Sequence, residues 1–173
     1  DPDVYLRQYN KMILGGAEFE FRAVKKTSGS LSVQRSSTNE YWMDDKGREK
    51  LIETVTEVFA EELQSAKGFT ITEEKGPDTL ILIGGLHDIV SRVPPEMLGR
   101  GDIYLSSVGE ATLVIEARDS LSGETIFRAI DRRAAERMGE MINANAVTTW
   151  AEVRRMARRW ATRLRDGLES LHE

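Results

Sequence analysis

The segment TWAEVRRMARRWATRLRDGLESL, residues 149–171, decides the fold of this 173-residue chain. Its apolar residues recur every three to four positions, which places them on one face of an α-helix. They are Trp150, Val153, Ala157, Trp160, Ala161, Leu164, Leu168 and Leu171. Thr149 and Glu152 have the spacing of a capping box, whose side chains bind free N–H groups of the first turn. We therefore predict a helix over 149–171 that buries this face against a sheet.

A second helix is predicted over residues 45–66. Its apolar residues have the same helical spacing: Leu51, Ile52, Val55, Val58, Phe59, Leu63 and Ala66. Asp44 or Asp45 can begin this helix, because a short carboxylate accepts hydrogen bonds from free backbone N–H groups. Gly68 follows at the position where a residue of left-handed conformation commonly ends a helix.

Alternating apolar and polar residues predict β-strands elsewhere in the chain. The predicted strands are 19–25, 31–35, 69–73, 79–93, 104–118 and 124–134. Residues 119–123 predict a hairpin turn in which Gly123 takes a positive φ. Gly84 and Gly85, inside the longest strand, indicate a bulge or a close approach of another backbone segment.

This order of elements, β(β)αβββα, predicts an α+β fold. We expect a two-layer sandwich with two long helices on one face of a largely antiparallel sheet. Residues 1–16 are predicted to be an N-terminal lead-in that follows a removed signal or anchor, because Gly15-Gly16 interrupts the apolar pattern. Residues 17–173 are predicted to form one domain, since 40% hydrophobic residues suffice for one core.

Composition and charge exclude several classes of function. The chain has no cysteine, which rules out disulfides, thiolate metal sites and cysteine nucleophiles. Its net charge of −5 argues against a nucleic-acid partner, because such proteins usually carry a basic excess. Its apolar runs are far shorter than the ~20 residues that span a bilayer. We therefore expect a membrane association only through an upstream lipid anchor.

The residues that could carry catalysis do not form a recognisable set. His87 stands beside Asp88, but neighbours on a strand point to opposite faces and are not predicted to form a dyad. The serines lack the Gly-x-Ser-x-Gly pattern of a nucleophile turn. We therefore predict no catalytic residue, no metal ligand and no cofactor. A hydrolase site around His87 stays an alternative, because folding can bring distant residues together.

The arginines of the last helix are the main candidate binding residues. Six arginines against three acids leave residues 149–171 at +3, so the remaining residues carry −8. Three interpretations stay open: acids elsewhere on the domain or on a second copy, an anionic partner such as lipid headgroups, lipopolysaccharide or an acidic protein, or a solvated face. Arginine forks bind carboxylates and phosphates with two hydrogen bonds. The candidate anion- or partner-binding residues are Arg132, Arg133, Arg155, Arg159 and Arg163.

Five short segments of the chain carry a family resemblance. They are GPDTLIL at 76–82, ATLVIEARDSLSGET at 111–125, DRR at 131–133, TWAEV at 149–153 and WAxxL at 160–164. In this order, over residues 45–171, the chain resembles the uncharacterised bacterial envelope lipoproteins of the DUF3313 type. The N-terminal part departs from that pattern, because a family strand ends in an Asp-Pro-Val-like segment and residues 19–24 contain no proline.

The resemblance implies a periplasmic domain that is tethered to a membrane, such as the outer membrane, after signal-peptide removal. The lipidated cysteine would lie upstream of Asp1. The resemblance carries over no catalytic residue, because the family has no established activity. We therefore expect a non-enzymatic domain that binds an envelope protein, lipid or polymer. A homo-oligomeric scaffold that pairs through sheet edges is an alternative, as is the hydrolase around His87.

Overall fold

A computed structural model of the chain describes residues 6–24, 40–93, 104–105, 107–136, 142–143 and 146–172. Its elements, in chain order, are β1 (Lys11–Phe21), α1 (Asp45–Gln64), β2 (Thr70–Ile71), β3 (Thr79–Ser91), β4 (Tyr104–Leu105), β5 (Ser107–Asp119), β6 (Thr125–Glu136), β7 (Ile142–Asn143) and α2 (Ala146–Glu169). A short 3₁₀ turn, Ser170–His172, follows α2. The predicted strand at 31–35 lies outside the described residues.

The sheet has the strand order β2-β1-β3-β5-β6, and β4 pairs with β7 separately. The long pairs β3–β5 and β5–β6 are antiparallel, whereas β1 runs parallel to β2 and β3. The predicted turn at 119–123 joins β5 to β6, and Gly123 has a φ of 74°. The α+β fold with two helices and a largely antiparallel sheet is confirmed.

The core lies between the helices and one face of the sheet. Trp160 on α2 is 2% exposed and packs in one cluster with Val58 of α1 and Ile115 of β5. Leu168 is also buried, in a second cluster with Met12 and other residues of β1, α1 and β3. The predicted apolar face of the last helix is therefore the face that α2 buries. We call the other side of the sheet the open face.

The first helix begins where it is predicted to begin, whereas the last helix begins earlier than predicted. Asp44 caps α1, and its Oδ1 accepts a hydrogen bond from the Gly47 N–H at 2.8 Å. The helix ends before Gly68, which takes a φ of 81° in the following turn. The capping box at the last helix is wrong, because α2 begins at Ala146 and Thr149 lies within it.

Strand β1 starts at Lys11, well before the strand predicted from Phe19. Gly15 and Gly16 do not end it; they form a bulge, in which two residues oppose Ile83 alone. A side chain at Gly15 would meet the Leu82 carbonyl oxygen at 2.8 Å, so only glycine fits. The close approach predicted at Gly85 is confirmed, since a Cβ there would lie 3.0 Å from a backbone oxygen of β1.

Candidate functional site

The arginines of α2 divide between its two sides. Arg154, Arg158 and Arg165 face α1, where acids at helical spacing meet them. Arg154 Nη2 lies 3.0 Å from Glu57 Oε2, and Arg158 Nη1 lies 2.9 Å from Glu62 Oε1. Arg165 Nη1 lies 2.8 Å from the other oxygen of Glu62. Acids of the same domain therefore neutralise this side, which matches the first of the three interpretations.

The other side of α2 faces β6, the edge strand of the sheet. Here Asp131 Oδ2 accepts hydrogen bonds from Arg133 Nε at 2.6 Å and from Trp160 Nε1 at 3.1 Å. Arg163 Nη1 is 3.9 Å from the same oxygen, and its side chain is 67% exposed. One carboxylate thus anchors the indole of the core and lies beside two guanidinium groups.

Glu152 is the second carboxylate on this side of α2. Its side chain is fully buried, and Arg155 Nη1 donates to both of its oxygens at 2.6 and 2.7 Å. Arg159 lies one turn further along the same side, half-buried. We call Asp131, Arg133, Glu152, Arg155, Arg159 and Arg163 the arginine edge; its four arginines and two carboxylates give a formal charge of +2.

Arg132 does not belong to the arginine edge. Neighbours on a strand point to opposite faces, so Arg132 lies on the open face while Arg133 lies on the helix side. Its Nη2 donates to Glu110 Oε1 at 2.8 Å. The structure therefore places Arg133 and Arg163 beside one carboxylate and Arg155 and Arg159 on the same side of α2, whereas Arg132 lies on the other face of the sheet.

Arg132 is part of an ion-pair cluster on the open face. At its centre, Arg22 Nε and Nη2 donate to the two oxygens of Asp88 at 2.7 and 2.6 Å. Arg22 also donates to Glu40 and, at 3.1 Å, to Glu110. We call Arg22, Glu40, Asp88, Arg92, Glu110 and Arg132 the open-face cluster. It joins the residue that follows β1 to β3, β5 and β6, and sequence patterns had singled out only Arg132 as a binding residue.

A β-bulge explains how Asp88 reaches this cluster. His87 and Asp88 together oppose Glu20 alone, because Phe19 pairs with Leu86 and Phe21 pairs with Ile89. Asp88 takes a φ of 54° there. The prediction that His87 and Asp88 point to opposite faces is therefore wrong, since the extra residue turns both side chains to the open face.

The charges of the cluster hold its carboxylates in the ionised form. Hydrogen bonds from Arg22 hold the pKa of Asp88 below its ordinary value. Burial acts to raise the pKa of Glu110, but hydrogen bonds from Arg132 and Arg22 outweigh it and leave this pKa lowered. Both shifts favour the charged state that the ion pairs require.

His87 lies on the exposed surface of the sheet. Its Nδ1 is 2.9 Å from Glu20 Oε2, with side chains that are 35% and 72% exposed. Two cavities of about 490 and 130 Å³ lie on the helix side of the sheet, and neither is lined by His87. What the hydrolase hypothesis finds in this structure is therefore a contact between His87 and Glu20 on an exposed surface, outside both cavities.

The residues that the structure describes contain neither a metal-binding cluster nor a membrane-spanning helix. Within them, no three histidine, aspartate or glutamate side chains are grouped so that they could hold a metal ion. Of the helices in these ranges, none has an apolar stretch long enough to cross a bilayer.

The family model for proteins of unknown function DUF3313 matches residues 1–164. The chain belongs to the DUF3313 family. The match confirms the family resemblance over residues 45–164 and extends it through the N-terminal strand, where the proline-containing pattern was missing. No curated protein matches this DUF3313 protein in sequence.

Several solved structures resemble this DUF3313 protein at low sequence identity. A Xanthomonas campestris protein of the DUF330 family is 12% identical, covers 94% of this chain and 85% of its own, with a TM-score of 0.47. PelC from Paraburkholderia phytofirmans, a dodecamer, is 8% identical over 94% and 89%, with a TM-score of 0.45. A minor lipoprotein from Acinetobacter baumannii is 10% identical over 92% and 94%, with a TM-score of 0.30.

Proposed function

We propose that this DUF3313 protein is a non-enzymatic domain of the bacterial cell envelope that binds an anionic envelope component along the arginine edge. In this proposal the domain faces the periplasm and is tethered to a membrane by an N-terminal lipid, as the resemblance to envelope lipoproteins implies. The observation that carries the binding proposal is that four arginines lie close to the sheet edge with only two carboxylates among them.

The exposed guanidinium groups support this proposal. Asp131 Oδ2 already accepts two hydrogen bonds, and Arg163 stands 3.9 Å from it with a 67% exposed side chain. The side chain of Arg155 is 45% exposed, although two of its hydrogen bonds reach Glu152. Arginine forks on such a surface present donors in the geometry that phosphate and carboxylate groups accept. An anionic partner would complete the charge balance here.

Co-sedimentation with lipid vesicles tests the proposal. We expect the protein to bind vesicles that contain phosphatidylglycerol, or lipopolysaccharide, and to leave phosphatidylcholine vesicles unbound. Binding should weaken as salt rises, because added ions screen exposed charges. Arg163→Gln should reduce it. The matched control is Arg128→Gln, which removes one charge from an exposed position of β6 outside the arginine edge.

Two results would contradict the proposal. The first is equal binding by Arg163→Gln and Arg128→Gln, which would place the contact elsewhere. The second is failure of the unaltered protein to bind any of the anionic probes at low salt. Neither result depends on the fold being disturbed, because both arginines are exposed and each substitution keeps a polar side chain.

Self-association through β6 is a second candidate function, favoured by the position of this strand. β6 is a 12-residue strand at the edge of the sheet, and within the described ranges it pairs on one side only, with β5. Unpaired N–H and C=O groups on an edge strand can pair with another copy. Light scattering at high protein concentration should then give a mass above that of one chain, and a strict monomer would exclude this candidate.

A further inference from the structure

The larger cavity lies between the helices and one end of the sheet. It has a volume of about 490 Å³, within the range of roughly 300–1,000 Å³ that small-molecule pockets occupy. Aliphatic side chains from both helices and two strands line it, among them Leu51, Leu86, Ile89, Val108, Val153 and Met156. Protein interiors rarely leave voids much larger than a water molecule. A space of this size and polarity is suited to an apolar ligand.

One polar atom in the wall of the cavity lacks a hydrogen bond. Asp44 binds the Gly47 N–H, and the Ser91 hydroxyl binds the backbone of Val93. In contrast, Thr149 Oγ1 is buried and has no hydrogen-bond partner among the described residues. An unsatisfied buried hydroxyl is unfavourable. Thr149 is therefore placed to bind a polar group of whatever fills the cavity.

A cation contacts one residue of the wall. Trp150, the residue after Thr149, also lines the cavity, and Lys50 Nζ lies 4.9 Å from the centre of its ring. The combination of an aliphatic space, a hydroxyl and a nearby cation matches a fatty acid, with its chain in the cavity and its carboxylate at Thr149.

We propose that this cavity binds one fatty-acid molecule, with the acyl chain among the aliphatic side chains and the carboxylate hydrogen-bonded to the Thr149 hydroxyl. The site lies between the helices and the sheet, partly open to solvent, and it is separate from the arginine edge. A test of fatty-acid binding is therefore independent of the anion binding proposed above.

Titration with the fluorescent fatty acid cis-parinaric acid tests the proposal. We expect saturable binding of one probe per chain, and displacement of the probe by palmitate. Ala135→Phe should abolish binding, because Ala135 is 1% exposed and its new ring would occupy the cavity. Ala134→Phe is the matched control, since the adjacent side chain lies on the open face. It should bind the probe as the unaltered protein does.

A second variant keeps the test valid if Ala135→Phe fails to fold. Thr149→Val has nearly the same shape and removes only the hydroxyl, so its circular dichroism and melting temperature should be preserved. Loss of one hydrogen bond predicts about a 2- to 10-fold weaker affinity for the fatty acid. Three results would overturn the proposal: no binding by the unaltered protein, equal binding by both phenylalanine variants, or unchanged affinity in Thr149→Val.

Discussion

Asp88 combines an unusual backbone conformation with strong side-chain bonding. Its φ of 54° lies in the left-handed region, which aspartate adopts more readily than most residues but which still costs free energy. The two hydrogen bonds from Arg22 hold the carboxylate in place across β1 and β3. The bulge and the open-face cluster therefore stabilise each other at this single residue.

Stability should fall in acid because of this cluster. The pKa values of Asp88 and Glu110 are lowered from 3.8 and 4.5 in the folded protein. A lowered folded-state pKa stabilises the protein above the ordinary value, and this contribution is lost as pH falls through the folded-state pKa. Asp88→Asn should therefore reduce the pH dependence of the urea midpoint between about pH 5 and about pH 2.

The exposed aspartate Asp45 provides the control for this experiment, because Asp45→Asn removes an equal charge outside the cluster. Asparagine also tolerates the left-handed conformation, so Asp88→Asn leaves the backbone requirement satisfied. Identical pH profiles for Asp88→Asn and the unaltered protein would show that the Arg22–Asp88 pair does not contribute to the pH dependence of stability.

Trp160 should be the most costly single residue to truncate. It is 2% exposed, and its Nε1 donates to Asp131 at 3.1 Å. Trp160→Ala removes the indole from the centre of the core and should lower the free energy of unfolding by ~3–5 kcal/mol. Trp160→Phe keeps most of the apolar contact and should cost less. Chemical denaturation measures both, and a normal stability in Trp160→Ala would disprove its role in the core.

At the scale of elements, the contact between α1 and α2 depends on Glu62. This carboxylate is 9% exposed and accepts hydrogen bonds from Arg158, Arg165 and Thr162. Its neighbour Glu61 bonds only Arg158 among the described residues and has a side chain that is 50% exposed. The two glutamates thus offer a buried and an exposed version of the same interaction.

Replacing each of these glutamates in turn should show how burial changes the contribution of the ion pair to the free energy of unfolding. Glu62→Ala leaves two arginines without a buried partner and should lower the free energy of unfolding by about 2 kcal/mol. Glu61→Ala removes an exposed ion pair and should cost about 0.5 kcal/mol. Thermal and urea unfolding of the two variants would measure the difference. Equal losses would mean that burial of Glu62 has no energetic consequence.

Element positions could be predicted where residue spacing alone determines them. The apolar face of α2 follows from helical spacing, and the β5–β6 hairpin follows from alternation and its turn residues. The start of α2 could not be predicted, because Thr149 and Glu152 match a capping box in sequence. In the fold, Glu152 is buried against Arg155 and is unavailable as a cap. The spacing of Thr149 and Glu152 matches the motif, but spacing alone does not show what surrounds the two side chains in the fold.

The candidate site was only partly predictable for a similar reason. Sequence marks the arginines of α2 as one charged face, but the packing of α2 beside α1 decides that Arg158 meets acids while Arg163 faces β6. The open-face cluster depends on the bulge at Asp88, which breaks the alternation that strand prediction assumes. The cavity arises from packing between layers, which no local pattern encodes.

At the scale of the whole molecule, the two faces of the sheet have different chemistry. The helices cover one face, and the open face carries apolar residues beside its ion-pair cluster. Ile130 of β6 is 64% exposed there, next to the paired Val114 of β5. Arg128, Ile130 and Arg132 of β6 are exposed on this face. The molecule therefore presents three distinct surfaces: helices, open face and arginine edge.

The parallel pairing of β1 with β3 should make β1 late in folding. The hairpin β5–β6 closes through a turn of a few residues, whereas β1 reaches β3 only after α1 and β2. Longer loops cost more entropy to close, and contacts distant in sequence slow folding. Met12→Ala, which truncates a buried residue of β1, should mainly speed unfolding, while Val114→Ala should mainly slow folding. Stopped-flow kinetics measures the folding and unfolding rates of both variants. The reverse pattern would disprove the late docking of β1.

This folding order has a consequence for biogenesis. β1 precedes its partner β3 in the chain, and α1 and β2 lie between them. Until β3 arrives, the buried side chains of β1, such as Met12, have no sheet to cover them. Once β3 and β5 have paired, the free edge of β3 remains exposed until β1 docks. During that interval a holding chaperone would protect the incompletely folded chain from aggregation.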